Sequence, residues 1–295
     1  MRRRKKLLSF NVEGLRKQIP GLTHLMDEQK PSMVLIQEAK CNKIEENSLD
    51  ALLGSQRHLT INSPDQYEDD FSERLEKTRK KAIHGTAVIL NEDIEDQGTM
   101  MMPTDNPRYQ HVKMGSVHIF NLYAPCDSSV PGRGLERLEE TLSSLSGRIE
   151  ALKGEPLLIV GDMNLQKNHS KQRKEAYRLF MEKNDLSLHS PLEPTNINYK
   201  GDKTIIDHLM ASSHFLKIKS KVLDSSIFGL NFGSTHFPIR WEIEYIEEVE
   251  ERREKPEETE VEEEGEKKKP LFVLNVEKLL KTEGVLNHTW LYTRG

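Results

Sequence analysis

Cysteine is nearly absent from this chain: Cys41 and Cys126 are the only two in 295 residues. Two thiols this far apart build neither a disulfide framework nor a zinc site, and a reducing, intracellular setting is expected. Long apolar runs are missing too. No stretch reaches 18 apolar residues, so no membrane span is expected. Met1 is followed by Arg2-Arg3-Arg4-Lys5-Lys6 and then only a short apolar stretch, which does not read as a secretory signal. That basic start reads as a nuclear signal, a DNA-touching arm or a solvated terminus. No internal repeat is present, which excludes a solenoid.

An excess of one charge is also lacking over most of the chain. Residues 246–270 hold 12 glutamates against 6 lysines and arginines, and residues 271–295 hold 3 basic and 2 acidic residues. Of the 43 basic and 48 acidic residues in the whole chain, 34 of each remain for residues 1–245. A neutral domain is not a strongly basic nucleic-acid binder. Affinity for DNA must come from a local patch and from bound metal.

What the chain does have is apolar runs that alternate with amphipathic stretches. Residues 7–11, 33–37, 85–90, 117–123, 157–160, 204–210 and 239–245 read as strands. Residues 14–30 read as a turn and a helix interrupted at Pro20-Gly21, with Leu15, Ile19, Leu22, Leu25 and Met26 on its buried side. Further helices are expected over 43–54, 135–152 and 171–184, the last buried through Ala176, Leu179 and Phe180. The alternation predicts an α/β layered domain over residues 1–245. Residues 63–81 read as a charged surface loop. Residues 246–270 are almost all charge and are expected to be a disordered linker. Residues 271–295 regain apolar side chains and read as a docking peptide for a protein partner, or as the start of a further region.

Short polar motifs stand behind these runs in a fixed order. They are Asn11 in SFNVEGLR, Glu38 in LIQEAK, Tyr123 in NLYAP, Asp162 and Asn164 in GDMN, Asp207 in IDH and His236 in STH. Strand ends that deliver side chains to one rim look like this. Carboxylates, two asparagines, a tyrosine and a histidine on one rim suit metal-assisted attack on a phosphodiester. Glu38, at the end of an apolar strand, is expected to hold Mg²⁺ or Mn²⁺ through hard oxygen ligation. An aspartate bonded to one imidazole nitrogen favours the imidazolium, which suits Asp207 and His236 to a charged transition state. His208 points to the opposite face of a regular strand and receives no catalytic role.

The ordered set resembles the exonuclease III-like endonuclease/exonuclease/phosphatase superfamily, over roughly residues 7–244. Within it the chain is similar to the endonuclease domain of non-LTR (LINE-type) retrotransposons, on TIIDHLMAS at 204–212, on Lys30-Pro31-Ser32, and on His236-Phe237-Pro238-Ile239. The resemblance implies an α/β/β/α four-layer sandwich of two mixed sheets packed face to face. It implies that Glu38, with Asp162 and Asn11, forms the metal site. Asp162 would activate the attacking water, Asn164 and Tyr123 would donate to phosphate oxygens, and Asn11 would position carboxylate and phosphate. Thr195 and Ser234 would contact DNA beside the site. Lys77, Arg79, Lys80 and Lys81 read as phosphate contacts beside the cleft, or as a solvated loop.

One residue departs from the superfamily pattern, which has Ser-Asp-His where this chain has Ser234-Thr235-His236. Loss of that carboxylate predicts weaker metal binding or slower turnover. The stretch 201–206 lacks the tryptophan or phenylalanine of an abasic-sugar pocket. The expected function is therefore metal-dependent nicking of one strand of duplex DNA, leaving a 5′-phosphate and a 3′-hydroxyl that could prime a reverse transcriptase. The alternatives are an abasic-site endonuclease or 3′-exonuclease of repair, an RNA or small phosphoester hydrolase, and a catalytically weak or inactive binding module of the same fold. A nuclear location is expected.

Overall fold

The computed structural model describes residues 1–41, 45–62, 85–91, 98–126, 132–152, 154–223 and 233–247. The expected linker and tail at 246–270 and 271–295 lie outside these residues, apart from Ile246 and Glu247. The basic run Lys77, Arg79, Lys80 and Lys81 also lies outside them.

Strand β1 spans Arg2–Asn11 and β2 spans Met33–Gln37; they pair in parallel, with Leu7 beside Met33 and Asn11 beside Gln37. Both read as unbroken apolar runs because both of their faces are buried. Leu7, Met33 and Leu35 face a second sheet, while Leu8, Val34 and Ile36 face a helical layer. The first sheet has the order β13-β14-β1-β2-β4-β3, adding β3 (Arg57–Asn62), β4 (Thr86–Asn91), β13 (Phe215–Val222) and β14 (Ile239–Ile246). The second has the order β5-β6-β7-β8-β12-β9. Its strands are β5 (Thr99–Met102), β6 (Tyr109–Met114), β7 (Val117–Tyr123), β8 (Leu157–Asp162), β9 (Ser187–His189) and β12 (Asp207–Ala211). A two-stranded ribbon, β10 (Asn196–Ile197) and β11 (Lys203–Thr204), stands apart.

The inner core is made by alternate residues of both sheets, among them Leu35, Val88, Ile119, Val160, Leu209 and Trp241. Helices α1 (Ile19–Gln29) and α2 (Glu46–Leu53) cover the first sheet, and α3 (Arg133–Glu150) and α4 (Lys171–Lys183) cover the second. This is the expected four-layer α/β/β/α sandwich, with parallel pairs β1–β2 and β7–β8 at the heart of two otherwise antiparallel sheets.

Several details differ from the sequence reading. Pro20 does not interrupt α1. It sits in the first turn, where its missing N–H costs nothing, and the five predicted apolar residues are all buried. On α4 the buried residues are Arg173, Tyr177 and Phe180, whereas Leu179 is 52% exposed. The basic start is neither an arm nor a loose terminus. Arg2–Lys6 extend β1 against β14, where Arg2 and Arg4 pair with Glu244, and Arg3 pairs with Glu247 at 2.5 Å. Strand β8 does not stop at Gly161 but runs through it to Asp162.

Candidate active site

Along the inner layer the chemistry changes in steps towards one end of the sandwich. Apolar contacts give way to Ser9, Gln37 and Asn121, all buried; Gln37 Nε2 donates to Asn121 Oδ1 at 2.7 Å and to Ser9 Oγ at 3.3 Å. Asn121 Nδ2 donates in turn to the Ile36 and Ala87 carbonyls, tying the two sheets together. One step further out stand Asn11, Glu38, Tyr123, Asp162 and Asp207.

Register delivers three of these side by side. Tyr123 pairs with Asp162 across β7–β8, and Asp162 pairs with Asp207 across β8–β12, so all three side chains share the inner face. Gly161 makes this row possible. Its φ is +146°, and a Cβ there would lie 2.1 Å from the Leu122 carbonyl oxygen.

Asn11 joins the two sheets at the rim, donating from Nδ2 to Asp162 Oδ2 at 3.0 Å and to Glu38 Oε1 at 3.3 Å. Its Oδ1 accepts from the Glu13 N–H at 3.1 Å. Asn11, expected at the metal site, thus turns its amide oxygen to the Glu13 N–H and uses its nitrogen to orient the two carboxylates. Tyr123 gives its hydroxyl proton to Glu38 Oε1 at 2.8 Å. The Arg108 guanidinium lies 5.2 Å from the centre of the Tyr123 ring. Burial and the nearby Glu38 carboxylate hold the Tyr123 hydroxyl well above its ordinary pKa, so it is a donor at every working pH.

Glu38 Oε2 meets the Lys40 ammonium at 2.6 Å. Burial opposes ionisation of Glu38, but Lys40, Tyr123 and Asn11 together outweigh it and hold the carboxyl below its usual value. Lys40 was not singled out from the sequence, although it closes the LIQEAK motif. Its ammonium shows that this carboxylate accepts a cation on its outer oxygen.

Asp162 is buried and sits at the centre of the site. Asn164 donates its backbone N–H to Asp162 Oδ1 at 2.8 Å, and its side-chain amide to the Ala124 carbonyl at 2.9 Å. As placed, Asn164 fixes the loop that holds Asp162. Buried Arg173 supports the same loop by donating to the carbonyls of Asn164, at 2.9 Å, and of Pro125. Burial and the adjacent Asp207 carboxylate push Asp162 up from 3.8 to about 7.

His236 Nδ1 lies 3.0 Å from Asp207 Oδ2, and its Nε2 lies 3.9 Å from Asp162 Oδ2. Burial alone would lower this imidazole, but Asp207, Asp162 and Glu38 outweigh it and raise it from 6.5 to about 9. Asp207 Oδ2 also accepts from Thr195 Oγ1 at 2.6 Å. Thr195 is fully buried, so the expectation of a DNA contact is corrected: its hydroxyl orients the Asp207–His236 pair. Ser234 donates its hydroxyl to the Asn11 carbonyl at 2.7 Å, which ties the His236 loop to the end of β1. His208 points away from the site, with its Nε2 2.8 Å from the Leu165 carbonyl.

Strain is concentrated here. Six non-glycine residues have positive φ among the described residues, and four of them, Glu13, Glu38, Lys40 and Asn164, belong to this rim. Left-handed backbone costs roughly 1–3 kcal/mol per residue and persists where its surroundings enforce it. Among the described residues, Asp162, Asp207 and His236 bring potential ligand atoms close enough together that they could hold a metal ion. The hard-oxygen pair Glu38 and Asp162 lies alongside it, joined through Asn11.

This geometry has counterparts. The sequence matches the Endonuclease/Exonuclease/phosphatase family over residues 8–236, most of its length. The chain belongs to that family. No curated protein matches it in sequence. The family fold is shared with the AP endonuclease LMAP from Leishmania major, at a TM-score of 0.64 and 14% identity, over 83% of this chain and 89% of that one. It is shared with the 3′ phosphatase NExo from Neisseria bound to a product DNA hairpin, at 0.60 and 15%, over 81% and 99%. An AP endonuclease from Archaeoglobus fulgidus is similar at 0.57 and 15%, over 80% and 98%. At these identities the likeness is one of family fold.

Proposed function

We propose that this chain is a divalent-metal-dependent DNA endonuclease that nicks one strand of intact duplex, as in target-primed retrotransposition. The observation that carries this reading is the approach of two differently charged groups. The His236 Nε2, held by Asp207, stands 3.9 Å from Asp162 Oδ2 in a buried site. A phosphate oxygen can sit against the first while a water is held by the second.

The donor set fits a hard cation. Two carboxylates, Glu38 and Asp162, share one Asn11 amide, and Asp162 is raised first by burial and then by the neighbouring Asp207 carboxylate, a charge that a cation would offset. When bound, Mg²⁺ or Mn²⁺ would supply charge neutralisation on the scissile phosphate. Asp162 accepts the proton of the attacking water. His236, as imidazolium, donates to a non-bridging oxygen and stabilises the charge that develops there. Asp207 keeps Nδ1 protonated, and Thr195 keeps Asp207 in place. The P–O3′ bond breaks and O3′ takes up a proton from solvent, which leaves a 3′-hydroxyl and a 5′-phosphate. Such a substrate implies a nuclear setting.

The second reading is an abasic-site endonuclease or 3′-exonuclease, favoured by the names of the fold neighbours. Against it, residues 201–206 offer no aromatic wall for an extruded sugar, and the flanking Ile205 and Ile206 are only half-buried. The deciding experiment gives the full chain and Mg²⁺ to labelled intact and abasic duplexes, resolved strand by strand. Cuts in the intact duplex at preferred positions support the nickase. Cuts confined to the abasic duplex overturn it in favour of repair. No cuts in either leave the fold as a binding module.

A further inference from the structure

The two sheets are not covered equally. On the outer face of the first sheet, helical cover reaches Leu8 and Arg240, where Gln29 at the end of α1 accepts from Arg240 at 2.9 Å. Beyond that point no described helix covers the outer faces of β1, β14 and β13, although Glu244 there is buried beneath its basic neighbours. Register sets their side chains in rows: Arg4, Glu244 and Lys217, then Lys6, Glu242 and Lys219, then Arg240 beside Lys221.

The charges on this face do not cancel. Its two acids are already taken: Glu244 pairs with Arg2 and Arg4, and Glu242 pairs with Arg240 at 2.9 Å. Lys6, Lys217, Lys219 and Lys221 are exposed and make no ion pair among the described residues. A cleft of about 80 Å³ opens between Arg4, Lys217, Lys219, Glu242 and Glu244. Alternate residues of β13 stand about 6.7 Å apart, close to two nucleotide steps of about 3.4 Å along a DNA strand.

We infer that the outer face of β13-β14-β1 is a second nucleic-acid contact, which binds a phosphate backbone away from the candidate active site. Arg4 lies seven residues before Asn11 on β1, about 23 Å from the catalytic rim along the strand. Lys217, Lys219 and Lys221 form a line of ammonium groups, without an ion pair among the described residues, spaced for alternate phosphates of one strand, and the arginine-held glutamates fix the surface beneath them. Phosphate contacts of this kind hold a duplex without reading its sequence. The inference goes beyond the proposed nicking and does not depend on it.

The test is binding of a labelled 30-base-pair duplex by the full chain in EDTA, followed by anisotropy across a salt series. The Lys217→Gln/Lys219→Gln/Lys221→Gln variant is expected to bind more weakly and to lower the salt slope by about 2.7, at roughly 0.9 per phosphate released. The corresponding triple arginine variant is expected to keep the slope. Should the glutamine triple fail to fold, Lys6→Gln/Lys219→Gln is expected to lower the slope by about 1.8 on the same basis. A folded glutamine triple with unchanged affinity and slope overturns the inference. So does a wild-type chain that binds phosphatidylserine vesicles through these lysines but not DNA. If the wild-type chain cuts no DNA while the triple loses binding, the nuclease reading fails and this one stands.

Discussion

Thr235 is bound to Glu13 twice: its hydroxyl donates to Oε1 at 2.9 Å and its backbone N–H approaches Oε2 at 3.3 Å. The carboxylate missing from position 235 is thus present beside it, supplied by the loop after β1. Asn196 completes the arrangement by donating to the Thr235 hydroxyl at 2.8 Å. Thr235 is thus held between Glu13 and Asn196, which fixes the loop that carries His236.

That pairing predicts a charge-swap result. Thr235→Asp alone sets two carboxylates against each other, and should cost roughly 1–3 kcal/mol together with much of the activity. Glu13→Thr with Thr235→Asp should recover most of both. Thermal melting and nicking rates of the two single variants and the double variant check this, since contacting sites are non-additive. Additive losses would show that the two residues do not act as a unit.

Asp162→Asn should separate activity from stability. Loss of the group that takes the proton from water is expected to slow nicking on the order of 10²–10⁴-fold. The fold should not suffer. The carboxyl is raised above its unfolded value of 3.8 to about 7, so the folded protein holds this proton more tightly and loses stability as pH rises between those values. Above pH 7 the asparagine variant should therefore melt at the same temperature or higher. A large fall in melting temperature would mean that Asp162 holds the fold together.

The His236 imidazolium predicts a pH limit. Its pKa is raised from 6.5 to about 9, so the stability it contributes is complete below pH 6.5 and is lost as pH rises through about 9. Nicking should fall over the same upper range as the charged donor is lost. Asp207→Asn removes the main partner and should move the upper limb of the pH–rate profile towards neutrality. An unchanged upper limb in that variant would remove the imidazolium from the mechanism.

The parts of this molecule that were legible in the sequence share a physical reason. Central strands buried on both faces read as unbroken apolar runs, so the polar residue that ends each run marks the rim. Asn11, Glu38, Tyr123 and Asp162 were found in this way. Other strands were not: β3 and β13 carry charged or polar residues on a half-wet face, β5 is only four residues long, and the buried β6 is broken up by Gln110, His111 and Lys113. Supporting groups were hidden for a different reason. Arg173 looks like a surface residue of an amphipathic helix until it is seen donating to the carbonyls of Pro125 and Asn164. Thr195 looks like a loop residue until Asp207 is seen 2.6 Å from its hydroxyl.

Gly161 carries the last prediction. Strand β8 must place Asp162 between Tyr123 and Asp207, and the neighbouring β7 backbone passes so close that any side chain at position 161 meets the Leu122 carbonyl. Gly161→Ala adds one methyl group at a φ of +146°, where both the conformation and the space oppose it. Overpacking a tight site costs typically about 1–3 kcal/mol, and here the yielding element is the strand that carries Asp162. The variant should lose stability in urea titration and lose more nicking activity than the stability change alone explains. A Gly161→Ala protein with wild-type melting and wild-type cutting would show that the β7–β8 spacing does not set the position of the catalytic aspartate.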